Sequence, residues 1–153
     1  MTTNTTTERN KTTVQKLIDE VINAGRMDLC DRYLAADRID EQDYGMPPGA
    51  ANGHEGFRRV LGPFLEAFPD LRLAIQFMVA DGKKLVVFLE TTGTHRGAFM
   101  GVPATGKRFK VHGVDIFEFN EAGLVSHHIG VFNTFGMLSQ LGLIPPAETP
   151  AAA

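Results

Sequence analysis

The sequence predicts an α+β fold in which three N-terminal helices pack against a curved, mostly antiparallel sheet, closing a cone. Three observations predict it. Apolar residues recur at helical spacing up to Pro69, and from Leu71 onward the period falls to two. On the strand over residues 108–119, a single carboxylate, Asp115, shares a face with three phenylalanines, which marks that face as the side of a pocket. A long sheet curling around helices leaves a one-sided cavity between the two layers.

The elements follow in order. Val14, Leu17, Ile18, Val21 and Ile22 make one apolar stripe of a first helix, and Gly25 ends it. Asp28 is positioned to cap a short second helix carrying Leu29, Tyr33 and Leu34 on its apolar side. The stretch RIDEQDYGMPPGAANG then has no period and is expected as an irregular loop. Phe57, Val60, Leu61, Phe64, Leu65 and Phe68 form the stripe of a third helix, which Pro69 stops. Leu71, Leu73, Ile75, Phe77 and Val79 share one face of the first strand, and Asp81 with Gly82 supplies its turn. Further strands are expected over residues 84–95, 108–119 and 124–132, with the loop RGAFMGVPATGK between the first two of these. One domain over residues 11–144 is the reading, with residues 1–10 and 145–153 as disordered tails.

Composition narrows the function classes. With 43% hydrophobic and 22% charged residues and a net charge of -3, the chain has no basic stripe for a phosphate backbone, so no nucleic-acid partner is expected. The polar, threonine-rich opening lacks the apolar core of a signal peptide, and no run approaches the roughly 18 apolar residues of a membrane span. A cytosolic protein without membrane contact is expected. The lone Cys30 offers neither a disulfide nor a cysteine metal cluster and is read as a packing residue. His-carboxylate spacing for a metal is missing, and GVPATG is a turn-rich loop rather than a phosphate cradle; no cofactor is implied.

The last hairpin carries the chemistry. A four-residue loop over 120–123 with Gly123 left-handed pairs Phe119 with Leu124, sets Asp115 opposite His128 and Gly113 opposite Gly130, and leaves space beside the pair. This is the preferred register. A three-residue loop with a bulge would instead set Asp115 opposite Ile129 and turn His128 outward.

The blocks GHEGFRRVLGPFLEAFPDLRL, GTHRGAFMGVPATGKRF, GVDIFEFNEAGLV and LSQLGLIP resemble the SnoaL-like polyketide cyclases of the NTF2-like superfamily, across residues 11–143. VDIFEFNEAGLV is also similar to a hairpin of ketosteroid isomerase, a relative whose matching aspartate is a protonated donor to a developing enolate. The resemblance implies an NTF2-like cone and places the acid at Asp115 and a pocket-lining residue at His128. It also implies a working aspartate on the last strand, where this chain has Gly130, and a second one where it has Asn133. No Asp or Glu occurs between Ala122 and Ala147, so the carboxylate must come from elsewhere. The isomerase's base falls in the loop before the third helix, at Tyr44, flanked by Asp43 and close to Asp40; either aspartate can substitute for a phenol of ordinary pKa.

The candidate catalytic residues are therefore Asp115, His128 and Asp40. The candidate substrate-binding residues are Tyr44, Phe64, Phe88, Met100, Phe132 and Asn133. His128 is expected to remove or relay a proton, while Asp115 orients the imidazole or, protonated, donates to an enolate oxygen; the two roles exclude each other. A buried carboxylate left ionised and unpaired among phenylalanines costs several kcal/mol, so Asp115 must be neutral, paired or functional. His112 and His127 are expected on the outer face with Val114, Ile116 and Ile129, where a homodimer would pack, and His95 at a strand-end turn or the pocket mouth. The resulting expectation is a cofactor-independent cyclase or isomerase for a hydrophobic, oxygenated, polyketide-like small molecule. Epoxide opening and ligand binding without chemistry stand as alternatives.

Overall fold

A computed structural model describes residues 2–145, Glu148 and Ala151. Helix α1 (Thr2–Lys16) runs into a wider π-helical turn (Leu17–Asn23), a 3-10 turn (Met27–Arg32) and strand β1 (Leu34–Asp40). Helix α2 (Gly53–Ala67), strands β2 (Arg72–Asp81), β3 (Lys84–Thr94), β4 (Arg108–Phe119) and β5 (Val125–Phe132), and the short helix α3 (Thr134–Gln140) follow. The fold is α+β: a helix cluster on a mixed, curved five-stranded sheet of order β1-β5-β4-β3-β2. Only β1 is parallel to its neighbour β5.

The predicted helical stripe holds, with Val14, Leu17, Ile18 and Val21 buried against Leu85, Val87, Leu89 and Phe117 of the sheet. Gly25 ends it in the left-handed region, φ 68°, where a side chain would be strained. The helix starts earlier than expected, because α1 continues back through the expected N-terminal tail to Thr2. Glu148 and Ala151 apart, the C-terminal tail beyond Pro145 lies outside the described residues. Asp28 does not cap an α-helix. Its carboxylate takes both arms of Arg26, at 2.8 and 2.7 Å, and the segment tightens to a 3-10 turn ending at Arg32, with Leu34 already in a strand. Helix α2 matches its stripe, and Phe68 caps it and anchors a second core with Phe109, Val111, Met137 and Leu141.

Two departures have physical causes. β1 falls in part inside the stretch expected to be loop, because its hydrophobic pattern is inverted: Arg38 is buried while Ile39 is 50% exposed. Along β2, a bulge between Ile75 and Phe77 exchanges the faces, so Met78 joins the core and Phe77 and Val79, expected inside, are exposed. No helix among the described residues is long and apolar enough to cross a membrane.

Candidate active site

The β4–β5 hairpin takes neither expected register. Asp115 stands opposite Gly130, Phe117 opposite His128, and Gly113 opposite Phe132. The loop spans 120–124 rather than 120–123, closed by Asn120, whose side chain accepts from the Leu124 N–H at 3.0 Å. A bulge then adds a second offset between Glu118 and Phe119. Either offset alone would turn His128 outward; together they restore its facing. Asp115 and His128 thus share the inner face as diagonal neighbours, with His128 Nε2 3.2 Å from Asp115 Oδ1. Gly123 is left-handed as predicted, φ 82°.

The other ring nitrogen is also held. β1 runs beside β5 with Asp40 in register with His128, and Asp40 Oδ1 lies 3.1 Å from His128 Nδ1. The carboxylate missing from the last strand is supplied by the strand next to it. Behind Asp40, Arg38 donates from Nη1 to Oδ2 at 2.7 Å and from Nη2 to the Ala51 carbonyl at 3.0 Å, with Phe57 beneath its guanidinium. The Asp40 backbone N–H is fixed by Asn52, and its Oδ1 accepts from the Gln42 N–H. Gly130 is glycine for a steric reason. A methyl there would lie 1.8 Å from Gln42 Oε1 and 3.0 Å from Asp115 Oδ1, so the expected free space is taken by the Gln42 amide.

Burial alone would raise the Asp40 carboxyl, but His128 and Arg38 outweigh it and hold the group at about 2. Burial alone would lower the His128 imidazole, but Asp115 and Asp40 outweigh it and push the ring to about 9. At neutral pH the ring is therefore an imidazolium with an N–H toward each carboxylate, and Arg38, Asp40, His128 and Asp115 form an alternating, charge-balanced row. Tyr44 is pushed well above the ordinary phenol value by burial and by the charges of Asp40 and Asp115.

Stability should follow these shifts. The Asp40 contribution is present above its ordinary 3.8 and is lost as pH falls through about 2. That of His128 is present below its ordinary 6.5 and is lost as pH rises through about 9. Urea unfolding should show stability falling by up to about 3 kcal/mol between pH 6 and pH 9. His128→Gln should flatten that alkaline decline, and a flat profile in the wild-type protein would contradict the pairing.

Of the sequence-predicted residues, the structure brings together Asp40, Tyr44, Asp115 and His128. Phe132 continues the same face beyond Gly130, and Phe64 meets it edge-on at 6.5 Å, forming an apolar wall. Phe88 does not belong to that wall. It lies on the outer face, stacked between Phe77 and His112, because the buried residues of β3 are the odd-numbered ones. Met100 is 71% exposed at a loop tip with φ 50°. Asn133 caps α3, accepting from the Gly136 N–H at 2.8 Å. Asp43 closes a turn on the Gly45 N–H. His127 faces Glu41, and His95 is buried at the strand end, binding the hydroxyl of Thr105 at 3.0 Å. Arg38 and Gln42 were not anticipated. Their signal is the alternation Arg38, Asp40, Gln42, a strand period written in polar residues.

Alongside this geometry, the model of the SnoaL-like polyketide cyclase family matches residues 12–141. No curated protein sequence matches. Among solved structures, AclR from Streptomyces galilaeus, a candidate hydroxylase, superposes with a TM-score of 0.77 at 25% identity, covering 92% of this chain and 85% of that one. IdmH from Streptomyces antibioticus, a candidate polyketide cyclase, gives 0.75 at 28% identity, covering 87% and 98%. TsrD from Streptomyces laurentii gives 0.73 at 27%, covering 87% and 97%. With the family model spanning both strands of the Asp115–His128 hairpin and the β1 segment that brings Asp40 to it, the chain belongs to the SnoaL-like polyketide cyclases of the NTF2-like fold.

Proposed function

We propose that the protein is a polyketide cyclase-type enzyme that enolises a carbonyl of a hydrophobic, oxygenated substrate by acid–base chemistry carried by its own side chains. The observation that carries this reading is the row Asp40–His128–Asp115, with one imidazolium held between two carboxylates. Asp115 is the base. Both N–H groups of His128 are committed, and its side chain is 10% exposed, whereas the Asp115 side chain is 21% exposed and is the reachable member. A carboxylate can take an α-proton from a carbonyl substrate when the enolate oxygen is stabilised. His128 holds Asp115 in place, and Phe132 with Phe64 offers apolar surface to a planar ligand. The enolate carbon then attacks a second carbonyl of the same substrate; the C=O π bond opens to an alkoxide, which takes the proton held by Asp115 as the ring closes.

The test is α-hydrogen exchange of α-tetralone, an aryl ketone, in deuterium oxide, followed by NMR. Wild-type protein should exceed the buffer rate, and His128→Ala should lose at least about 100-fold of that excess. Exchange no faster than buffer would sink the reading. Epoxide opening is a second reading, favoured by the presence of Arg38 paired with Asp40 and of a second carboxylate, Asp115, across His128. Turnover of limonene oxide without ketone exchange would select it.

A further inference from the structure

The row of hydrogen bonds does not end at Asp40. Tyr44 places its hydroxyl 3.3 Å from Asp40 Oδ2 and 3.2 Å from Gln42 Oε1. Neither distance is short, so the phenol proton is shared loosely between two acceptors and is free to turn toward a third. Gln42 Oε1 itself sits over Gly130, on the side from which Asp115 Oδ1 approaches. Asp40, Gln42 and Tyr44 also line, with residues 46–49, 51 and 52, a recess of about 380 Å³, a volume that exceeds that of a carbonyl group. The row therefore has two chemically different ends near one another: a carboxylate at Asp115 and a phenolic O–H at Tyr44.

We propose that Tyr44 is a catalytic residue, giving its phenolic proton to the substrate's enolate oxygen as Asp115 takes the α-proton, and regaining it through Asp40 from His128. This rests on the enolising function proposed above. The α C–H bond breaks and an O–H bond forms on Asp115. The Tyr44 O–H bond breaks and an O–H bond forms on the substrate oxygen. The phenolate then takes a proton through Asp40 from His128 Nδ1, leaving a neutral imidazole with its remaining proton on Nε2. The summed charge of the four side chains is unchanged, so no uncompensated charge is created in a buried site. Burial and the neighbouring carboxylates keep Tyr44 protonated until an oxyanion is presented to it.

The test uses the wild-type protein, Tyr44→Phe and Asp115→Asn with a series of naphthols, whose planar oxygen anion imitates an enolate, and the tetralone exchange assay. Tyr44→Phe should bind naphthols about 10- to 100-fold more weakly, the loss of one hydrogen bond to a charged acceptor, and should exchange tetralone more slowly. Asp115→Asn should keep naphthol binding while losing exchange. The chain has two tyrosines, so carbon-13 labelling gives two ring signals. Naphthol should move that of Tyr44 and leave that of Tyr33 in place, a readout that needs no variant. Wild-type exchange with naphthol binding and rates unchanged in Tyr44→Phe, or a naphthol-insensitive Tyr44 signal, would overturn the role of Tyr44 alone. No exchange by the wild-type protein would overturn the enolising function as well.

Discussion

Asp115→Asn should remove most of the enolising activity, by about 100- to 10,000-fold in turnover, while the protein remains folded. The amide keeps the shape of the carboxylate and its contact with Val87 and Gly130 across the strands, so packing is preserved. What it loses is the ability to take a proton. His128 loses one of the two carboxylates that stabilise its charge, so its pKa should move back from about 9 toward 6.5, and the remaining Asp40–His128 pair should titrate nearer neutrality. Two measurements check this: the tetralone exchange rate and an NMR titration of the His128 ring. A wild-type rate in the variant would eliminate Asp115 as the base. An unmoved imidazole would show that the contact at 3.2 Å is not an ion pair in solution.

Arg38→Ala should have the largest effect on stability. The side chain is 2% exposed and links Asp40, the Ala51 carbonyl and the face of Phe57. Removing it leaves two buried carboxylates facing one imidazolium and an unmatched carbonyl. Breaking a buried pair in this way costs about 3–5 kcal/mol, a large share of the roughly 5–15 kcal/mol that a domain has in total. Arg38→Lys should recover only part of it, since an ammonium has no second planar arm to reach Ala51 while it holds Asp40. Urea unfolding of the two variants measures this. A loss below about 1 kcal/mol for the alanine variant would mean that Asp40 is stabilised by other means.

How much of this was legible in the sequence depended on whether a segment followed the usual rule of apolar side inward. α2, β4 and β5 did, and the periods of β4 and β5 match their extents to within one residue. β1 broke the rule because the inward side chains at its end serve the site, so a strand ending in Arg38 and Asp40, with Gln42 continuing the alternation just beyond it, reads as a loop. Residues that depend on a single offset were the least readable. The bulge in β2 sent Phe77 and Val79 to the opposite face from Leu73, and β3, apolar on both faces near its start, gave no sign that Phe88 points outward. For Asp115 and His128 the common facing could be read but the register could not, because two one-residue offsets in the same direction add to a two-residue slip that preserves the facing. Asp40 was reached through family likeness; its partner Arg38 could not be, since a buried guanidinium looks like a surface one until the strand is recognised.

The inverted strand has a consequence outside the site. β1 and β2 are the two outer strands of the sheet, the positions at which unpaired backbone groups can recruit another molecule into a growing ribbon, although on β1 the Asp40 N–H and the Leu34 carbonyl are already held by Asn52 and His54. On one edge, inward-turned Arg38 and Asp40 make any slipped or added strand bury a charge without its partner; on the other, the kink between Ile75 and Phe77 spoils the straight ladder such recruitment needs. The same ion pair that holds the imidazole in place is also a device against edge-to-edge self-association, so replacing Arg38 by an apolar residue removes the protection of the β1 edge and leaves only the kink in β2.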